Sequence, residues 1–173
     1  MSEAAAYLMG ALVIGGGATV VMDLWAVARQ RLLGIPPLDY GLVGRWLAHL
    51  ARGIFRHDPI TASPAVQGER LIGWTAHYLI GIAFAGVLLA IWGLEWICRP
   101  TIVPALMIGV GSVAAPFLLM QPGMGAGIAA SRTPHPATAR LRSLVTHGVF
   151  GLGLYSAGWV AHGLGVFRWW SFC

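Results

Sequence analysis

Residues 15–25, GGGATVVMDLW, lie near the end of an apolar stretch that runs from Tyr7 to Val27 and carries a single carboxylate, Asp23. A lone charge inside hydrocarbon is expensive and is kept there only when it is paired, faces a wet cavity or does chemistry. The stretch therefore raises two questions: whether it crosses a membrane, and what partners Asp23.

Composition answers the first. The chain has 173 residues, of which 57% are hydrophobic and 10% charged, with a mean hydropathy of +0.73. Those charges are too few to cover a water-soluble globule of this length. Four stretches, about 7–28, 71–94, 101–121 and 143–166, are long enough to cross some 30 Å of hydrocarbon, which takes roughly 20 helical residues each. Met1–Ala6 has no Lys or Arg, and the run behind it is too long for the apolar region of a signal peptide, so the first stretch reads as a retained span. With no repeat and no linker, the fold class is all-α: a single transmembrane domain over 1–173, built as an integral membrane four-helix bundle.

All eleven basic residues are Arg. Nine of them (Arg29, Arg31, Arg45, Arg52, Arg56, Arg70, Arg132, Arg140 and Arg142) fall in the first and third connections, and Arg99 and Arg168 fall on the opposite side. The positive-inside rule then puts those two connections in the cytoplasm and both termini in the periplasm. Because these Arg flank spans and do not alternate with stacking aromatics, they suit anionic membrane lipid and not nucleic acid. Cys98 and Cys173 both fall on the predicted outer side, where a disulfide can persist, although two free thiols are the simpler expectation.

The first connection is long and organised. In GIPPLDY, Pro36 and Pro37 stop the first helix and Asp39 can cap a new one. From about 40 to 55, Val43, Trp46, Leu47, Leu50 and Ile54 recur at helical spacing, with Arg45, His49, Arg52 and Arg56 on another face. This predicts a cytoplasmic-side interfacial amphipathic helix between spans 1 and 2. It either lays its Arg among lipid phosphates or roofs the bundle and points His49 or an Arg at Asp23.

Three spans carry a stripe of small residues with one titratable group on it. The stripes are Tyr7, Ala11, Gly15, Thr19 and Asp23; Gly73, His77, Gly81 and Ala85; and Ser143, His147, Gly151 and Tyr155. Small residues four apart let helices approach closely. At 1.5 Å per residue, Asp23 lies about 9 Å before Arg29, His77 about 10 Å after Arg70 and His147 about 7 Å after Arg142. All three sit at nearly one depth, so Asp23, His77 and His147 are expected to face one another.

Such a cluster admits several chemistries. Asp23, His77 and His147, with His49 from the roofing helix, would suit a divalent transition metal. His77 and His147 alone could ligate haem or a chlorophyll-type pigment axially. A proton relay, or a catalytic base on a lipid-soluble substrate, uses the same residues. A plain structural hydrogen bond between helices is the simplest alternative. In the third span, Pro104 and Pro116 predict kinks, and QPGMGAG predicts a broken segment that lines a cavity or packs under the roofing helix. Trp92, Trp96, Trp159, Trp169 and Trp170 at the outer ends, with Trp25 and Trp74 at the inner ends, read as an aromatic belt. The chain has no Walker loop, dinucleotide fingerprint or nucleophile motif.

The blocks MDLW, VGRWLAH, GWTAHYLIG, PTIVPALMIG, QPGMGAGIAASRTP and RLRSLVTHGVFGLGLY together resemble a bacterial family of small four-span inner-membrane proteins classified as a domain of unknown function. The resemblance implies a multi-pass protein of the bacterial inner membrane and transfers no activity. The resulting expectation is a membrane protein with a buried Asp/His cluster near the cytoplasmic face binding a metal or cofactor, as an accessory subunit of a larger membrane complex or as a homo-oligomer. A small membrane enzyme and a proton-coupled transporter are the alternatives.

Overall fold

The computed structural model describes residues 2–167. The readings made for Arg168, Trp169, Trp170 and Cys173 fall outside the described residues. Cys98, expected to be a free thiol, is disulfide-bonded.

Helix α1 spans Glu3–Leu33. It runs past the expected end near residue 28 and stops only at Gly34, whose left-handed φ of 64° closes the last turn. Two prolines follow, and Asp39 then starts α2 (Tyr40–Leu50) by accepting a hydrogen bond from the Gly41 amide at 2.8 Å. Helix α2 is shorter than the periodicity of 40–55 suggests. Gly53, at φ 82°, ends it in a turn where the Ile54 amide donates to the His49 carbonyl.

Helix α3 covers Glu69–Trp92 and a short α4 covers Glu95–Cys98. The third stretch begins as α5 (Ile102–Gly111), passes through a π-helical turn at Pro116–Met120 and ends in α6 (Gln121–Gly123). Pro104 does not kink α5, because it lies in the first turn, where no intrahelical bond needs its missing N–H. Pro116 does disturb the helix, and the wider turn absorbs it. Helix α7 covers Pro136–Gly163.

Four helical stretches, Glu3–Leu33, Glu69–Trp92, Ile102–Gly123 and Pro136–Gly163, are long and apolar enough to cross a membrane. Helix α1 packs on α3 and α7, α5 on α7, and α2 on α3. In lipid no hydrophobic force drives such pairs together, so close van der Waals fit has to do it. The small-residue stripes supply that fit. A Cβ on Gly15 would come within 2.5 Å of the Ile82 Cα, and one on Gly73 would overlap the Tyr40 carbonyl, so these backbones touch. Ile14, Leu88, Leu89, Ile97 and Leu154 fill the interior, while Leu24, Leu71, Leu79 and Val160 stay exposed on the outside. Trp96 departs from the expected belt: it is buried, with its ring against Gly158 of α7.

Candidate functional site

Asp23 continues the α1 stripe of Gly15 and Thr19. Thr19, fully buried, donates to the Gly15 carbonyl at 2.8 Å and faces Gly81 of α3. One turn further along both helices, the same face brings Asp23 Oδ1 to 2.9 Å from His77 Nε2. Tyr78 OH donates to the other carboxylate oxygen at 2.9 Å. Tyr40, the first residue of α2, sets its hydroxyl 3.0 Å from His77 Nε2 and stacks its ring on the imidazole at a centroid distance of 4.3 Å. Trp74 closes over the Tyr40 ring at 4.6 Å. Asp23 thus has two donors on its two oxygens, which offset much of the cost of holding a carboxylate among apolar side chains. Burial and the nearby Asp23 carboxylate push the Tyr40 phenol above its ordinary value.

Helix α2 is seated here by two further contacts. Gly44 lies against the backbone of α3 at Glu69 and Gly73. Arg45 grips Glu69 with both guanidinium edges, Nε to Oε2 and Nη2 to Oε1, each at 2.8 Å. This bidentate pair is the strong form of the contact.

His147 takes a different neighbour. Its stripe on α7 faces α5: Gly151 packs against Ala105 and Leu106, and His147 Nδ1 lies 2.7 Å from Ser112 Oγ. The single Ser112 proton goes to the Gly109 carbonyl at 2.6 Å, so the network assigns Nδ1–H of His147 as the donor to Ser112 and leaves Nε2 as the acceptor. His77 and His147 nevertheless line one small cavity of 70 Å³, together with Thr19, Ser112, Phe84 and Phe150. That space is roomy enough for water.

His49 lies elsewhere. The register of α2 puts Tyr40 over His77, and His49 is nine residues further on, about 13 Å along the helix. It is buried beside His57, with ring centroids 5.0 Å apart. Burial, and then the neighbouring His49, push the His57 imidazole below its ordinary pKa. Among the described residues no group of three or more His, Cys, Asp or Glu side chains could hold a metal. The expected metal set of Asp23, His49, His77 and His147 is therefore not supported: Asp23 and His77 meet, His147 is bonded to Ser112, and His49 belongs to another junction.

The glycine-rich segment packs under α2, where a Cβ on Gly123 would strike the Trp46 indole. Its amides turn inward to the chain itself, Gly125 N–H donating to the Pro122 carbonyl and Ala126 N–H to that of Gln121. A cleft of 620 Å³ opens beside it, walled by Trp46, Phe55, Leu118 and Leu119 and edged by Arg56 and Arg132.

Sequence reasoning missed Tyr40, Tyr78 and Ser112. Tyr78 follows His77 directly, and its position beside the stripe was a usable signal. Tyr40 needed the seating of α2, and Ser112 needed the pairing of α5 with α7.

Among the described residues the structure is all-helical, with four helices long and apolar enough to cross a membrane and a polar couple between two of them, the build of a multi-pass membrane protein. Residues 12–161 match the family model described as protein of unknown function DUF2938, and the chain belongs to that family. Comparison with curated proteins finds no match, and comparison with solved structures finds none.

Proposed function

We propose that this chain is a four-span bundle of the bacterial inner membrane, termini periplasmic, and that it acts as a proton-coupled carrier. The observation that carries the reading is the Asp23–His77 couple beside a water-sized cavity whose far wall holds a second imidazole, His147. The carboxylate and the imidazole stand 2.9 Å apart, within hydrogen-bond reach. Tyr40 and Tyr78 hold both groups in register, and His147, with Nε2 as its acceptor, takes a proton passed through the cavity. Intramembrane Asp and His in such chains mark proton relays. In this orientation α2 is an amphipathic helix on the cytoplasmic face, and the exposed Arg52 and Arg56 of the segment that follows it lie among lipid phosphates.

The test is proton entry. Proteoliposomes enclosing a pH-sensitive dye, with the membrane potential clamped by valinomycin and K⁺, are expected to acidify faster than empty vesicles after an external pH drop. Asp23→Asn and His77→Gln are expected to remove the difference, and His162→Gln, on the far turn of α7, to keep it. Equal rates with and without protein would overturn proton passage through the Asp23–His77 couple without a partner solute, which is the form of the reading tested.

A further inference from the structure

The 620 Å³ cleft beside the glycine-rich segment joins two chemistries. Its walls are apolar, from Trp46, Phe55, Leu118 and Leu119, and the charged residues that line it are both cations, Arg56 and Arg132. Its volume is that of a small-molecule site. Phe55, Leu118 and Leu119 are 67%, 59% and 66% exposed, so their surfaces are covered by nothing in the protein. Leu118 and Leu119 belong to the third helical stretch of membrane-spanning length, which ends at Gly123, about 7 Å further along the axis. Arg56 and Arg132 lie in the connections beyond the helix ends. Apolar wall inside and cations outside is the order of acyl chain and phosphate in one leaflet of a bilayer.

Both guanidinium groups are open to an anion. Among the described residues Arg56 is exposed and meets no carboxylate. Arg132 reaches Asp58 only at 3.8 Å, both side chains being more than half exposed, and such a pair contributes little in water. Asp58 does not line the cleft. A phosphate there would offer Arg132 the bidentate contact that the loose pair lacks.

The frame is fixed without a ligand. Trp46 Nε1 donates to the Phe55 carbonyl at 3.2 Å and the His57 amide to the Gly123 carbonyl at 2.9 Å, so Arg56 stands between two anchored residues. The Arg132 amide donates to the Ala126 carbonyl at 2.8 Å. In the turn Ile128–Ala130, two successive alanines hold left-handed backbone at φ 48° and 59°. Arg140 Nε and Thr133 Oγ1 clamp their carbonyls, each at 2.8 Å. Strain of this kind persists only where the surroundings fix it, and a wall already fixed loses little freedom on binding.

We infer that the cleft binds one anionic phospholipid, whose phosphate bridges Arg56 and Arg132 while an acyl chain lies along Phe55, Leu118 and Leu119. No carboxylate lines the cleft to receive the ammonium of a zwitterionic headgroup. The inference rests on the membrane orientation of the proposed function and not on proton transfer, and it shares no residue with the Asp23–His77 couple.

The test is native mass spectrometry of the full chain in mild detergent, given equal amounts of phosphatidylglycerol and phosphatidylcholine with matched acyl chains. One phosphatidylglycerol is expected to be retained, with a preference of about tenfold or more over phosphatidylcholine. Arg56→Gln and Arg132→Gln are each expected to weaken retention about fivefold, the effect of one cation at headgroup level. Ser131→Trp, which keeps every arginine and adds bulk at an exposed lining position, is expected to weaken it as well. Arg31→Gln and Arg70→Gln, at exposed arginines that do not line the cleft, are expected to match the wild type. Excess inorganic phosphate, which has no chain to lay on the wall, is expected to leave the lipid in place. Equal retention of the two lipids, or displacement by inorganic phosphate, would overturn the site. So would undiminished retention in Arg56→Gln and Arg132→Gln, or an equal loss in Arg70→Gln, in protein that still melts cooperatively. No pH gradient enters this measurement, so its failure leaves proton passage standing, and failed proton passage leaves the lipid.

Discussion

The Asp23–His77 couple and the His49–His57 pair differ in how completely they are bonded. Between α1 and α3, His77 meets Asp23 and Tyr40, and Asp23 is closed on its other oxygen by Tyr78. At the α2–α6 junction, the His49 and His57 rings lie 5.0 Å apart, and each keeps a ring nitrogen with no partner. The first pair is already complete from within the protein and can trade only a proton. The second keeps two buried ring nitrogens that no group among the described residues bonds. Removing a member should therefore have opposite signs at the two places.

Four substitutions probe that contrast. Gly73→Leu drives a side chain into the Tyr40 carbonyl and lifts α2 off α3; a loss of about 3 kcal/mol is expected in detergent unfolding. Asp23→Ala strands His77 and Tyr78 without their acceptor and is expected to cost about 2 kcal/mol by the same measurement. Tyr40→Phe should cost about 1 kcal/mol at neutral pH. It should also change the alkaline limb of the stability profile. The folded protein holds the Tyr40 proton more tightly than the unfolded chain, so the stability this proton confers is whole below about pH 10 and drains away as pH rises beyond it. Melting points of Tyr40→Phe between pH 9 and 11 are therefore expected to fall less steeply than those of the wild type. His49→Leu is expected to be neutral or to gain about 0.5 kcal/mol, because a buried nitrogen without a bond is replaced by carbon. A loss there comparable to that of Asp23→Ala would erase the contrast.

Much of the membrane architecture could be read directly from residues. Apolar length located the four stretches, and Gly15, Thr19, Gly73 and Gly81 marked the faces on which α1 and α3 meet, because only small side chains let backbones touch. Equal depth brought Asp23 and His77 to one level for the same reason. His147 shows the limit of that argument: depth fixes height and says nothing of direction, and the Gly151 stripe is claimed by α5. His49 failed through register, since the periodicity of 40–55 does not reveal which turn of α2 sits over α3. The stop at Gly53 was legible in principle, as a glycine past the last periodic turn, but the continuing apolar pattern at Ile54 hid it. His57 carried no signal, because its neighbours come from segments far apart in the chain.

The Arg45–Glu69 clasp has a mechanical consequence. With the Gly44–Gly73 backbone contact and the Tyr40–His77 bond, it fastens the short helix to the long one at three successive levels. The two then travel as one lever, and any rocking of this half of the protein against α1 has to be taken up by the six residues from Gly34 to Asp39 and by the left-handed Gly68 at the lever's foot.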